Sequence, residues 1–315
     1  MTLAGKTCVV LGAGGFIGVN VCAALTAAGA SVRGFGRRPR FAAAPRVDDW
    51  IEAEFGDNAA LGDALRGATH VIHLLGGSNP VIHNAAPVNE VTANIIPSVG
   101  LLEACRAEGV SRVVFLSSGG TVYGPNAPVP TGEGALTDPI SAYGIGKLAV
   151  EKYLGLFHYL HALDYRVLRV ANPFGPYQVS GRGQGFIAQA MQRAIDDRPI
   201  EIWGDGSVVR DFIYIDDVAE AVVCSVADTG DARLFNIGSG KGRSLLEVIA
   251  AIGEVVGRSP IVNFRSARAA DIPVSVLDIE RARHRLGWAP KSDWTQSLIS
   301  TRDWLLANPV ARSQL

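Results

Sequence analysis

Residues 7–27 read Thr-Cys-Val-Val-Leu-Gly-Ala-Gly-Gly-Phe-Ile-Gly-Val-Asn-Val-Cys-Ala-Ala-Leu-Thr-Ala. Thr7 to Leu11 is a short apolar run of strand character, glycines follow, and Phe16 opens an alanine-rich helical stretch. Strand, glycine turn and helix in that order gather backbone N–H groups and the positive end of a helix at one point. Glycines there permit a tight turn, close approach of the backbone to a pyrophosphate, and close packing of helix on strand. Gly12, Gly14, Gly15, Phe16, Ile17 and Gly18 are therefore expected to hold a dinucleotide. The flanking strand and helix give the glycines a weight they lack alone.

Working outward, apolar runs at Ser31 to Phe35, Trp50 to Glu54, His70 to Leu75, Arg112 to Ser117 and Tyr165 to Val170 alternate with helical patterns. The helices are expected at Phe16 to Ala28, Val88 to Glu108 and Ala142 to Leu163. Strands that are apolar along their whole length and alternate with helices predict a parallel sheet covered on both faces, a doubly wound α/β (Rossmann) fold. Ligands of such sheets sit outside the carboxyl ends of the strands, which places Leu74 beside the cofactor. After Val170 the pattern becomes mixed, with a glycine- and proline-rich passage from Asn172 to Gly185 and a helix from Phe186 to Arg198. The expected division is a dinucleotide-binding domain over 1–171, with 211–238 rejoining it, and a smaller mixed α/β C-terminal substrate lobe over 172–210 and 239–315.

The second strand ends at Gly36, where NAD binding would favour an acidic residue, and Arg37 and Arg38 follow. Guanidinium groups pair with a 2′-phosphate that a carboxylate would repel, so the cofactor is expected to be NAD or NADP, with NADP accepted. A solvated basic loop is the plainer account. Two readings also stand for Asp57, an adenine contact or a helix cap.

Tyr143 and Lys147 are four apart on a predicted helix, one turn from each other. An ammonium at that distance is expected to lower the phenol pKa from about 10 and make the tyrosine a usable base. Together with Ser117-Ser118-Gly119-Gly120-Thr121-Val122-Tyr123-Gly124 and the glycine turn, the pair resembles the extended short-chain dehydrogenase/reductases. The segments Leu168 to Pro176, Gly204 to Gly206, Arg210 to Asp217 and Phe235 to Gly238 are similar to the nucleotide-sugar branch, the NAD-dependent epimerase/dehydratase family. The resemblance spans nearly the whole chain.

It implies a nucleotide-sugar 4-epimerase, in which Tyr143 takes a proton from a sugar hydroxyl while hydride passes to the nicotinamide. Lys147 would hold the nicotinamide ribose, Asn172 would touch the sugar or its phosphate, and Arg210 and Arg268 would clamp the diphosphate. Asn94 would help organise the site or simply lie on a helix surface. The family places a Ser or Thr four residues before Tyr123, where this chain has Gly119, leaving Ser118 or Thr121 to supply that hydroxyl. An NADPH-dependent C4-keto reductase of a nucleotide-linked deoxysugar is the second reading, and a catalytically silent NADP-binding regulator the third. A 4,6-dehydratase is disfavoured, because Gly120 and Thr121 stand where that branch has Asp and Glu.

Charge and composition narrow the partners. Among 315 residues, 29 basic and 30 acidic side chains give a net charge of −1, so no broad field attracts nucleic acid or a membrane surface. No apolar run near the start has the length of a secretory segment or a membrane span, and a cytoplasmic enzyme is expected. Cys8, Cys22, Cys105 and Cys224 are expected as buried thiols, and His158 and His161 lack the partners of a metal site. The long apolar helices can form a four-helix contact in a homodimer, or can be buried within one subunit.

Overall fold

The computed structural model describes residues 2–37, 47–76, 84–179, 185–267 and 272–308. The first half runs β1 (Thr7–Leu11), α1 (Phe16–Ala27), β2 (Ser31–Phe35), β3 (Asp49–Ile51), α2 (Asn58–Leu65) and β4 (His70–His73). It continues with α3 (Pro87–Glu90), a π turn (Val91–Ile95), α4 (Ile96–Ala107), β5 (Arg112–Ser118), α5 (Ala142–His161) and β6 (Asp164–Val170). The second half has β7 (Asn172–Phe174), α6 (Phe186–Ile195), β8 (Ile200–Trp203), β9 (Val209–Tyr214), α7 (Ile215–Ala227) and β10 (Leu234–Ile237). It ends with β11 (Gly242–Ser244), α8 (Leu245–Val256), β12 (Val262–Arg265), β13 (Val274–Ser275), a second π turn (Ala282–Leu286) and α9 (Trp294–Ala307).

Seven strands form one parallel sheet in the order β10-β6-β5-β4-β1-β2-β3. Its strands are apolar on both sides because both faces are covered. Val21, Cys22 and Leu25 of α1 and Val218 and Val222 of α7 close one face. Leu61 and Leu65 of α2, Leu101 and Leu102 of α4, and Val150, Leu154 and Phe157 of α5 close the other. A smaller sheet of β11, β9 and β13, with β7 also on β9, and the β12–β8 pair build the second lobe around α6, α8 and α9. Among the described residues no helix is long and apolar enough to cross a membrane.

Three of the departures from the expected boundaries have an evident cause. The helix expected over Val88 to Glu108 is broken by the π turn Val91–Ile95, because Pro97 has no N–H for the regular ladder and the wider turn absorbs the gap. The helix expected to reach Arg198 stops at Ile195, where Asp197 turns left-handed at φ 54° ahead of Pro199. The third strand is Asp49–Ile51 rather than Trp50 to Glu54, being limited to its pairing with Arg33–Phe35 of β2.

The carboxylate of Asp211 on β9, which is 1% exposed, ties that strand to the segments that follow β10 and β13. It accepts from Ser239 N (2.7 Å) and Oγ (2.6 Å), from Gly240 N (3.2 Å) and from Leu277 N (3.3 Å). Gly238 must be glycine for this, since a Cβ there would lie 2.4 Å from Asp211 Oδ2. Removing the carboxylate strands several buried donors. Asp211→Ala is expected to lower stability by roughly 3 kcal/mol in urea unfolding.

Candidate active site

The glycine turn after β1 is built as the sequence predicts. Gly12 adopts φ +85° and donates to Phe35 O at 2.9 Å, tying the turn to the end of β2. Gly15 caps α1, whose first turn carries no acidic side chain, so its N–H groups and positive end face outward without a competing charge. A Cβ on Gly18 would lie 2.1 Å from Gly12 O, so only glycine lets the helix pack this closely. Phe16 and Ile17 are partly buried beside it, and Gly14 stays partly open. This cradle fits the pyrophosphate of a dinucleotide. Asn20 extends the site wall, donating to Phe16 O (2.8 Å) and to Pro176 O (3.2 Å) beyond β7.

At the end of β2, Gly36 has φ +138° and Arg37 is exposed. Arg38 and Arg268 lie outside the described residues. Asp57 caps α2, its Oδ1 accepting from Ala59 N at 3.1 Å and Ala60 N at 3.0 Å. Leu74 follows β4, its N–H donating to Leu11 O at 3.2 Å across the strand ends.

Tyr143 and Lys147 stand in the first two turns of α5, which Ser141 caps by accepting from Gly144 N. Lys147 is 6% exposed, and its Nζ donates to Leu116 O at 2.8 Å and Leu75 O at 3.1 Å. The ammonium is therefore fixed between the ends of β4 and β5, 5.7 Å from the centre of the Tyr143 ring. Burial pulls its pKa down to about 8.

The expected effect of Lys147 on Tyr143 is corrected by these surroundings. Burial pushes the phenol up to about 12, a hydrogen bond from Ser118 pulls the other way, and Glu90 adds a like charge that raises it further. The ammonium directs two of its protons at carbonyls, so the resting phenol stays protonated.

The missing hydroxyl at Gly119 is also explained. A Cβ at Gly119 would lie 2.6 Å from Leu277 Cδ1 and 3.0 Å from Arg169 O, so that position faces the C-terminal segment. Ser118, at the end of β5, is the hydroxyl that pulls the Tyr143 phenol down against its burial. Thr121 Oγ1 is buried without a hydrogen-bond partner.

The described candidates for the sugar and diphosphate make backbone contacts. Asn172 donates to Asp211 O at 3.0 Å, and Arg210 Nη1 donates to Val209 O (2.9 Å) and Ile272 O (2.6 Å), so both are engaged with the backbone of the second lobe. The sequence reading missed a buried relay behind the pair. Glu151, one turn beyond Lys147, takes Arg169 Nη2 at 2.6 Å and the Ser117 hydroxyl. Arg169 in turn lies 4.7 Å over the Tyr123 ring, and Tyr123 Oη donates to Asn236 Oδ1 at 2.7 Å. The four-residue step from Lys147 to Glu151 was the available signal. Among the described residues no group of His, Cys, Asp or Glu could hold a metal ion.

A parallel sheet, a glycine cradle at the first helix and a Tyr–Lys pair at the strand ends define a nicotinamide-dependent enzyme of the short-chain dehydrogenase/reductase type. Residues 8–238 match the model of the NAD dependent epimerase/dehydratase family, and the chain belongs to that family. Over 300 residues it is 34% identical to UDP-glucose 4-epimerase of Mycolicibacterium smegmatis, covering 93% of this chain and 96% of that protein. It superposes on the UDP-glucose 4-epimerase of Thermotoga maritima, solved with UDP-glucose, with a TM-score of 0.91 at 32% identity, covering 96% of this chain and all of that one. The NAD complex of the Thermus thermophilus UDP-glucose 4-epimerase gives 0.86 at 29% identity, covering 96% of this chain and 99% of the other.

The Ser118 contact separates the two candidate hydroxyls. Ser118→Ala is expected to lower kcat about 10²-fold, while Thr121→Ala changes it much less, in steady-state assays of both variants.

Proposed function

We propose that the chain is a nucleotide-sugar 4-epimerase acting on UDP-sugars, with NAD or NADP held in the glycine cradle. The observation that carries this reading is the Tyr143 ring 5.7 Å from the Lys147 ammonium, which is held at the carboxyl ends of β4 and β5. Gly12, Gly14, Gly15 and Gly18 would hold the pyrophosphate, and Lys147 the nicotinamide ribose. A bound oxidised nicotinamide supplies the hydride acceptor. Tyr143 Oη exchanges the proton of the sugar hydroxyl at C4, while Ser118 fixes that oxygen. Because burial keeps the resting phenol protonated, it becomes a base only when added positive charge beside it offsets that burial.

Asn172, Arg210 and Arg268 remain the residues assigned to the sugar and diphosphate. Asp57 and Leu74 are assigned to the adenosine side, Asp57 through the part of its carboxylate not used as the cap. The exposed Arg37 after a side-chain-free Gly36 favours acceptance of NADP, and with it the second reading, a C4-keto reductase. Incubation with UDP-glucose and no added cofactor tests both. Catalytic appearance of UDP-galactose, with NAD or NADP released by acid from the protein and identified by mass, is the expected result. Tyr143→Phe is expected to slow that conversion at least about 10²-fold. A requirement for stoichiometric NADPH would replace the epimerase by the reductase.

The assembly is proposed to be a homodimer, and its location the cytoplasm, consistent with four buried free cysteines. Ile145, Tyr153, Leu156 and Leu160 form an exposed apolar row along α5, and Val91 and Ile96 lie exposed at the π turn and the start of α4. A row of that length suits the pairing of two helices from each of two copies. Leu156→Glu combined with Leu160→Glu is expected to convert a dimer to a monomer in sedimentation velocity.

A further inference from the structure

Beside the catalytic pair lies a buried carboxylate, on an element other than α5, for which the reaction above has no use. Glu90, the last residue of α3, is 3% exposed. Its carboxylate is seated in a notch in α5. A Cβ added to Gly146 would lie 2.3 Å from Glu90 Oε1 and 2.8 Å from both Cδ and Cγ, so the side chain occupies space that any residue but glycine would fill. Gly146 is the residue immediately before Lys147 and lies three after Tyr143, so the notch opens beside the catalytic pair. The π turn that follows Glu90 carries Asn94 to the same place. A Cβ on Gly76 would lie 3.1 Å from Lys147 Nζ and 3.7 Å from Asn94 Oδ1. A wide turn of this kind commonly marks a functional segment of a helix.

We propose that Glu90 is a positioning residue of the catalytic pair, its carboxylate in the Gly146 notch acting as the counter-charge that keeps the Lys147 ammonium protonated between the Leu75 and Leu116 carbonyls. The role in catalysis rests on the site reading given above, whereas the charge coupling itself does not.

The charges around Lys147 on each packed element support this assignment. Burial is the largest influence on Lys147 and lowers its pKa; Glu90 and then Glu151 raise it. Glu151 shares its charge with Arg169, whose Nε and Nη2 it accepts at 3.1 and 2.6 Å, and with Ser117. His73 on β4 adds no charge, since burial and Lys147 hold it down to about 3. Tyr143 feels Glu90 as a like charge and is raised by it. Removing the negative charge at Glu90 therefore lowers both Lys147 and Tyr143, and the ammonium is lost at a lower pH.

The test is Glu90→Gln, which preserves shape and removes charge. Lysine labelled at its terminal carbon, with the Lys147 signal assigned by Lys147→Arg, is titrated by NMR in the holoenzyme without substrate. The midpoint of Lys147 is expected to fall by about one unit, and the alkaline limb of kcat to move to lower pH with it. A midpoint equal to that of the parent protein overturns the proposal whether or not the protein epimerises sugars. Should Glu90→Gln fail to fold, the double variant Glu90→Ala/Gly146→Ser refills the notch without a carboxylate. It is expected to show the same fall, and a parental Lys147 midpoint in that folded variant is equally decisive against the proposal.

Discussion

An ammonium group held out of water between two strand-end carbonyls is the constraint on which the site depends. Lys147 reaches from α5 across the gap between β4 and β5, and its bonds to Leu75 O and Leu116 O fix the helix against the sheet. A buried cation is costly unless it is hydrogen-bonded and balanced by charge. The surrounding acids, Glu90 and Glu151, belong to different helices, so satisfying that one group draws α3 and α5 onto the same end of the sheet. Tyr143, one turn earlier on α5, inherits its position from this fixation, and its phenol is pulled down by Ser118 on β5.

The second lobe meets this end of the sheet through apolar contacts, Leu277 and Ile279 packing with Val122 and Tyr123, and through polar ones. Asn236 on β10 donates through Nδ2 to Thr131 O (2.8 Å) and Asp278 O (3.1 Å), and its N–H donates to Glu133 (2.9 Å). Thr131 pairs in turn with the segment around Leu277. Leu277 also fills the space in front of Gly119. The absence of a side chain at Gly119 is thus a packing requirement at the junction of the lobes, and the hydroxyl moves one residue upstream to Ser118.

Much of this was legible from residue order. The apolar runs locate the sheet, and the glycine turn locates the cradle, because period and glycine placement are local properties of a chain. The Tyr143–Lys147 spacing was legible for the same reason. The sign of the electrostatic effect on Tyr143 was not, because it depends on burial and on carbonyls contributed by Leu75 and Leu116, which no spacing reports. Glu90 was hidden inside a pattern read as one continuous helix. Its importance emerges only when Gly146, far away in sequence, is seen to leave room for it. Arg210 matched a motif, yet its guanidinium meets backbone carbonyls of the second lobe, a pairing set by tertiary contact.

The place of β10 bears on how the chain assembles. Leu234–Ile237 lies beside β6 at the margin of the large sheet, although the chain has first passed through β7, α6, β8, β9 and α7. A nascent polypeptide that has emerged only as far as Val170 presents β6 as an open edge with unpaired backbone groups. Such an edge invites association with other chains until the later segment arrives to cover it. Ribosomal synthesis of this protein therefore passes through an interval of aggregation risk that ends only when residues 234–237 dock.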